Sequence, residues 1–334
     1  MRSRLFSKLA AIAFATTVSV VPASAQAGQL ETQFDQLLGT MQRQQRIVAA
    51  PLPADALEIQ LAALAEASRG RIGVAALDLD SGRMVSVLGQ QPFPMASTSK
   101  IAIAATYLAG VDQGRYKLAD RYPLLVPVPS RKFAGTVAPV RAGAMLTAQQ
   151  LIELSITRSD NPATDALLAA VGGPAAVTRW VRANTGIADF RLDRDIATLV
   201  RDDGAVNPAI TVDKRDSITP AAMVGLLSGL HRGQWLTRAS RDVLMGAMSR
   251  CVTGRNRMKA LLPQGTTIAH KTGTLSNTAS DVGYIVTPDG RNLAVAIYVT
   301  GQGGKQGRES RIALLARAIY DGYNADRPRR TALR

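Results

Sequence analysis

The chain has 334 residues, with 40 Lys and Arg against 25 Asp and Glu and a formal charge of +15. A hydrophobic content of 46% excludes a disordered chain and supplies a substantial core, and the single cysteine, Cys251, excludes an intramolecular disulfide. The basic residues are dispersed and aromatics make up only 4%, which argues against a nucleic-acid partner; an anionic envelope surface, or simple solubility, accounts for the charge.

At the N-terminus Arg2, Arg4 and Lys8 precede an apolar run from Leu9 to Val21, followed by Ala23-Ser24-Ala25. This is the pattern of a secretory signal peptide (1–25) cut after Ala25. The run is too short to span a bilayer, and no later uncharged apolar stretch reaches roughly 18 residues. The sequence therefore predicts a soluble periplasmic or secreted protein without a membrane anchor. Residues 26–52 read as a helical extension and 327–334 as a loose tail holding Arg327, Arg329, Arg330 and Arg334. Between them, 53–326 reads as the main folded domain.

Within that domain a helix is expected over 54–67. Residues 71–79 (RIGVAALDL) and 83–88 (RMVSVL) then alternate like strands around Asp80-Ser81-Gly82, a hairpin signal. Apolar residues recur at three-to-four spacing over 98–113, 147–157, 162–171, 174–184, 219–231 and 238–250, which predicts six helices. Thr147 and Thr219 stand where N-caps belong, and Pro220 suits a first helical position. Residues 186–217 read as one long irregular stretch. Strands return over 267–274, 280–287 and 292–300, the last two flanking Pro288-Asp289-Gly290, and a helix over 308–323 closes the domain. Strands at both ends of the chain and helices between them imply an α+β fold. A five-stranded antiparallel sheet flanked by N- and C-terminal helices (53–90 and 264–326) would stand beside an all-helical lobe (91–263), with the site in the cleft between them.

Three short motifs carry chemistry. Ser97-Thr98-Ser99-Lys100 opens a helix, so the serine and lysine share a face one turn apart. A desolvated lysine amine can take the proton of a serine hydroxyl, and a helix N-terminus favours a developing oxyanion. Taken alone this is ordinary helix-capping sequence. Ser159-Asp160-Asn161 falls at a helix–helix junction, offering a hydroxyl for proton relay and an amide for a substrate. Lys271-Thr272-Gly273-Thr274 lies on a strand, where a cation and hydroxyls suit a carboxylate and Gly273 lets the backbone approach.

In this order, S-x-x-K, S-D-N and K-T-G, the set resembles the class A serine β-lactamases and their penicillin-binding relatives. The resemblance covers roughly 53–323 and extends to Phe93-Pro94-Met95, Arg191-Leu192-Asp193-Arg194, Arg215-Asp216 with Thr219-Pro220, and Arg257 ahead of Lys271. It implies that Ser97 is acylated, that Lys100 and Ser159 move protons, and that Asn161 binds the substrate amide. It further implies that Lys271, Thr272, Thr274 and Arg257 hold the substrate carboxylate, that the backbone N–H groups of Ser97 and Thr274 form the oxyanion hole, and that Arg194 pairs with Asp216.

One segment departs from the pattern. Class A enzymes carry a glutamate two residues after R-L-D-R to activate the deacylating water, with an asparagine shortly after. Here those positions are Ile196 and Val200. Asp195 is the first candidate replacement, with Asp202 and Asp203 behind it. Three functions remain open on the sequence: a β-lactam hydrolase with slow or atypical deacylation, a D,D-carboxypeptidase or esterase acting on acyl-D-alanyl compounds, and a β-lactam binder that stops at the acyl stage.

Two remaining features carry no further function. Gly301-Gln302-Gly303-Gly304-Lys305 lacks the spacing of a phosphate loop. His231, His270 and Cys251 do not make a persuasive zinc set, so no metal or cofactor is expected. The protein is expected to act as a monomer on a small molecule.

Overall fold

The strand-like runs at the two ends of the chain build one sheet. In the computed structural model, which describes residues 55–66 and 69–325, β1 (Ile72–Asp78), β2 (Met84–Val87), β7 (Thr267–Leu275), β8 (Thr278–Val286) and β9 (Asn292–Thr300) form a five-stranded antiparallel sheet ordered β2-β1-β9-β8-β7. The two ends join where β1 pairs with β9, Ala75 opposite Ala296. The predicted leader (1–25), extension (26–52) and basic tail (327–334) lie outside the described residues.

Strand alternation sorts the side chains into two layers. On the central strand β9, Ala294, Ala296 and Tyr298 face one hydrophobic cluster, whereas Leu293, Val295, Ile297 and Val299 face another. The second cluster is sealed by the terminal helices α1 (Ala56–Glu66), which buries Leu57, Leu61 and Ala65 along one stripe, and α9 (Lys305–Ala325). The Tyr323 hydroxyl of α9 donates to Ala76 O at 2.8 Å and fixes that helix to β1.

The first cluster belongs to the inserted lobe. At its centre lies α2 (Lys100–Asp112), buried at every position from Lys100 to Gly110; a helix apolar on all sides is stable only when surrounded. Around it stand α3 (Ala148–Thr157), α4 (Asn161–Ala170), α5 (Pro174–Thr185), α7 (Pro220–His231) and α8 (Arg238–Ser249). The caps act as the sequence predicts. Thr147 and Gln150 form a reciprocal capping box on α3, and Thr219 caps α7 with Pro220 at its start. Asp160 caps α4, accepting from Ala163 N at 2.8 Å.

Two elements of this lobe escape the sequence patterns. A hairpin of β4 (Arg121–Pro127) and β5 (Val140–Thr147) makes the lobe more than helical. Its strands are largely half-buried or exposed, carry Pro123 and Pro127, and slip register between Pro123 and Leu125, so no clean alternation marks them. Within the supposedly irregular 186–217 lies α6 (Ile196–Arg201), too short to show a helical period. No helix among the described residues is long and apolar enough to cross a membrane.

Candidate active site

The nucleophile candidate sits where three elements meet. Met95 and Ala96 lead into a 3-10 turn, Ala96–Ser99, that runs directly into α2, so Ser97 and Lys100 lie on one continuous helical run. Ala96 has φ +48°, a left-handed conformation that costs a non-glycine residue on the order of 1–2 kcal/mol. The surroundings hold it. A two-stranded ladder pairs β3 (Phe93–Pro94) with β6 (Ser217–Ile218), and Met95 N donates to Asp216 O at 2.9 Å. Ser97 is half-buried while Thr98, Ser99 and Lys100 are buried.

Lys100 Nζ reaches from α2 to the Ser159-Asp160-Asn161 turn. It donates to Ser159 O at 2.7 Å, to Asn161 Oδ1 at 2.7 Å and to Ser159 Oγ at 3.2 Å. Burial drives its pKa well below the usual lysine value, and the neighbouring Lys271 pushes it the same way, against the opposing charges of Asp165 and Asp160. Ser159 has φ +59°, which breaks the chain between α3 and α4 at the motif serine.

From the other side β7, the edge strand, contributes Lys271. Its Nζ donates to Ser159 Oγ at 2.9 Å and to Thr272 O at 2.9 Å, and burial brings it down to about 8. The Ser159 hydroxyl therefore accepts from two lysines at once. With both lone pairs engaged, its own proton is the one left to give.

Gly273 explains why the strand can come so close. A Cβ there would stand 2.7 Å from Met95 O, 3.1 Å from Ala96 Cβ and 2.4 Å from Ser280 Oγ, so any side chain would part β7 from the nucleophile turn. Arg257 is buried and braces the same end of β7, donating to Gly273 O at 2.8 Å, Ser280 O at 2.9 Å and Thr274 Oγ1 at 2.6 Å, with Glu309 Oε1 at 3.3 Å. Thr274 is exposed. Thr272 is buried, its hydroxyl 2.6 Å from that of Thr253. An open cavity of about 260 Å3 adjoins Asn161, walled by Val128, Ala138, Ala197 and Val200.

The comparisons agree with this geometry. A family model described as the β-lactamase enzyme family matches residues 56–323. The chain is 32% identical to β-lactamase CTX-M-8 of Citrobacter amalonaticus, covering 82% of this chain and 92% of that protein. It is 30% identical to the extended-spectrum β-lactamase PER-1 of Pseudomonas aeruginosa, covering 79% and 86%. Among solved structures, a variant of the reconstructed last common ancestor of Gram-negative class A β-lactamases superposes with TM-score 0.71 at 36% identity over 81% of this chain and 100% of that one. A β-lactamase of Xanthomonas campestris gives 0.70 at 29% identity over 80% and 98%.

The chain belongs to the class A β-lactamase family. As in the family pattern, Arg194 Nε meets Asp216 Oδ2 at 2.6 Å, and Asp216 also accepts from Asp193 N and Arg194 N, which closes the base of the loop next to β6.

Inside that loop this β-lactamase relative departs further than its sequence suggested. Asp195, the first candidate base, is the N-cap of α6, accepting from Thr198 N at 2.7 Å. One of its carboxylate oxygens is thereby engaged by the helix end. Asp202 pairs with Arg201 at 2.7 Å and accepts from Phe133 N at 3.0 Å, so that it stays ionised down to about 2. Asp203 accepts from Ser276 N at 2.8 Å. Ile196 itself is buried in the apolar cluster.

Sequence reasoning missed Asp165. It follows Asn161 by one turn of α4, is 3% exposed, and accepts from Ile196 N at 2.7 Å and Ala197 N at 2.8 Å. Burial pushes its carboxyl up to about 6 against those two hydrogen bonds, and its charge acts on Lys100. An acid four residues after the motif asparagine, on the same helix face, was the available signal.

Proposed function

We propose that the protein is a serine β-lactamase that opens the β-lactam ring by acylating Ser97, with hydrolysis of the ester as the slower half of its cycle. The observation that carries this reading is the Ser159 hydroxyl held between Lys100 Nζ and Lys271 Nζ, which joins the three motifs into one proton path. The names of the relatives support the substrate class.

Ser97 Oγ attacks the ring carbonyl as its proton passes to Lys100, whose amine burial favours in the neutral state. The carbonyl oxygen, becoming negative, faces the backbone N–H groups of Ser97 and Thr274. Lys271 and the Thr274 hydroxyl, with Arg257 and Thr272 behind them, receive the substrate carboxylate. Asn161 binds the substrate amide, and the cavity beside it takes the acyl side chain. As the C–N bond breaks, Ser159 donates its proton to the ring nitrogen and is resupplied from the lysines.

Water must then attack the Ser97 ester with a base to take its proton. Ile196 offers no acceptor, and Asp195 is committed as a cap. Acylation is thus well provided for and deacylation is not. The N-terminal basic, apolar and small-residue pattern supports export to the periplasm, where a β-lactam or an acyl-D-alanyl compound would be met.

The test combines turnover of a chromogenic cephalosporin with intact-mass spectrometry of the quenched protein. An initial burst, slower multiple turnover and a mass increase of one opened β-lactam on Ser97 are expected. A Ser97→Ala variant that still turns over or gains the mass overturns the assignment, and a stable adduct without turnover replaces the hydrolase by a binder.

A further inference from the structure

The cavity beside Asn161 is walled by two elements that the sequence patterns did not show, the connection 128–139 of the β4–β5 hairpin and helix α6. On α6, Ala197, Val200 and Arg201 stand at i, i+3 and i+4 and share the face turned to the cavity, whereas Ile196 is buried in the apolar cluster. Hydrogen bonds staple the two walls together. Ala138 N donates to Thr198 Oγ1 at 2.8 Å, Phe133 N to Asp202 Oδ1 at 3.0 Å and Arg201 Nη2 to Gly135 O at 2.9 Å. The spacing of the walls is therefore set before a ligand arrives. Asn161 belongs to the cavity and, through its Oδ1, to the Lys100 network, so the cavity is continuous with the reaction centre.

The polar groups of these walls are already engaged. Pro127 and Pro129 have no N–H, that of Val128 donates to Pro139 O at 2.8 Å, that of Ala138 goes to Thr198, and that of Ala197 to Asp165 Oδ2 at 2.8 Å. Arg201 is the one charged residue among those described at the cavity. Its Nε is given to Asp202 Oδ1 at 2.7 Å, and its side chain is only 7% exposed. The other polar side chains there are Ser130, which is exposed, and Asn161. An ionised group entering the cavity thus sheds part of its hydration shell and finds neither an unpaired counter-ion nor a free wall donor in exchange. An apolar group gains by leaving water against Val128, Ala138 and Val200.

We propose that this cavity selects substrates by the charge of the acyl side chain: it accepts β-lactams with an uncharged aryl or branched alkyl group next to the side-chain amide and discriminates against those with a carboxylate or an ammonium at that carbon, with Ala197 and Val200 as specificity-determining residues. The selectivity rests on the β-lactamase reading and adds the substrate class to it. Discrimination is a difference of affinities, and one that comes from lost hydration is blind to sign, so anion and cation are both disfavoured. The net charge of +15 would act otherwise, favouring the carboxylate over the ammonium. Val200 is 50% exposed, so a longer side chain can stand there without entering the core.

The experiment uses three penicillins that share one ring system and differ only at the carbon next to the side-chain amide: phenylacetyl, α-carboxyphenylacetyl and α-aminophenylacetyl. The second-order rate of Ser97 acylation is followed by intact mass on the full chain at about pH 6, where carboxylate and ammonium are both ionised. Each rate is divided by that compound's own rate of alkaline hydrolysis, which removes differences in ring reactivity. Both charged compounds should acylate at least about tenfold more slowly than the phenylacetyl one. Val200→Lys should raise the carboxylate-to-ammonium rate ratio at least about tenfold, and Val200→Glu should lower it by as much, so that either variant serves if the other does not fold. Three rates within about threefold of one another, or a carboxylate faster than the phenylacetyl compound with the ammonium slower, overturn selection by the apolar wall and leave the β-lactamase reading intact. A ratio that neither variant moves removes Val200 from the subsite. A folded chain that gains mass from none of the three refutes the β-lactamase reading, and the selectivity with it.

Discussion

Asp165→Asn probes the group that ties α4 to the start of α6. In the folded chain burial pushes the Asp165 carboxyl from an ordinary 3.8 up to about 6, although Ile196 N and Ala197 N both donate to it. The folded value is the higher one, so between about pH 4 and pH 6 the unfolded chain has already released this proton while the folded chain holds it. Stability from this group is therefore present below the unfolded value and falls as pH rises. Two pKa units correspond to about 3 kcal/mol, lost by pH 7. Asparagine removes that slope but turns an amide N–H toward one of two backbone donors, a cost of about 1–3 kcal/mol at every pH. Urea unfolding of both proteins from pH 4 to pH 7.5 should show the variant losing about 2.4 kcal/mol of its pH 4 deficit by pH 7, so that the deficit is nearly cancelled or reversed. A deficit independent of pH would refute the argument that the buried carboxylate is poorly solvated. Because the Asp165 charge supports the protonated form of Lys100, the variant's acylation rate, followed by mass, should also rise at a lower pH than in the parent.

Asp195→Ala should lower the unfolding free energy by about 0.5–2 kcal/mol through loss of the α6 cap while leaving the deacylation rate unchanged, and a deacylation loss above tenfold would restore it as a base. Gly273→Ala should cut kcat/KM for a cephalosporin at least a hundredfold, because the added methyl meets Met95 O and Ser280 Oγ; unaltered kinetics would refute the close approach of β7. Since Lys271 loses its proton about pH 8, kcat/KM, which reports the free enzyme, should decline above that pH for substrates bearing a carboxylate. A carboxylate-free analogue should not show the decline, and an identical limb for both would remove Lys271 from carboxylate binding.

Long periodic elements were legible because their burial is one-sided or complete. The central helix α2, the strands with their turns, and the caps Thr147 and Thr219 follow from local pattern and local hydrogen bonding. The β4–β5 hairpin was not legible, because its half-buried or exposed strands, one of them interrupted by Pro123 and Pro127, have no face that burial forces to alternate. Helix α6 was missed for a related reason, since six residues are too few to show a period. At the site, the structure brings Lys100, Ser159, Asn161 and Lys271 from the three motifs into hydrogen-bond contact, with Ser97 on the helical run that carries Lys100. The sequence also showed that the expected glutamate is absent, but not where the remaining acids point.

By itself the sequence determined the family, the two-ended sheet and a helix after Ser97, all of which rest on residue type and spacing along the chain. Tertiary structure alone decided which carboxylates are free. Asp165 becomes a buried anchor because Ile196 N and Ala197 N reach it from the loop, and Asp202 is held by Phe133 N besides its neighbour Arg201, whereas Asp195 caps its own helix on Thr198 N. It also decided that His270 and Asp281 meet at 2.7 Å, because β7 pairs with β8. A carboxylate takes its reactivity from what desolvates and hydrogen-bonds it, and those partners are chosen only when the chain closes on itself.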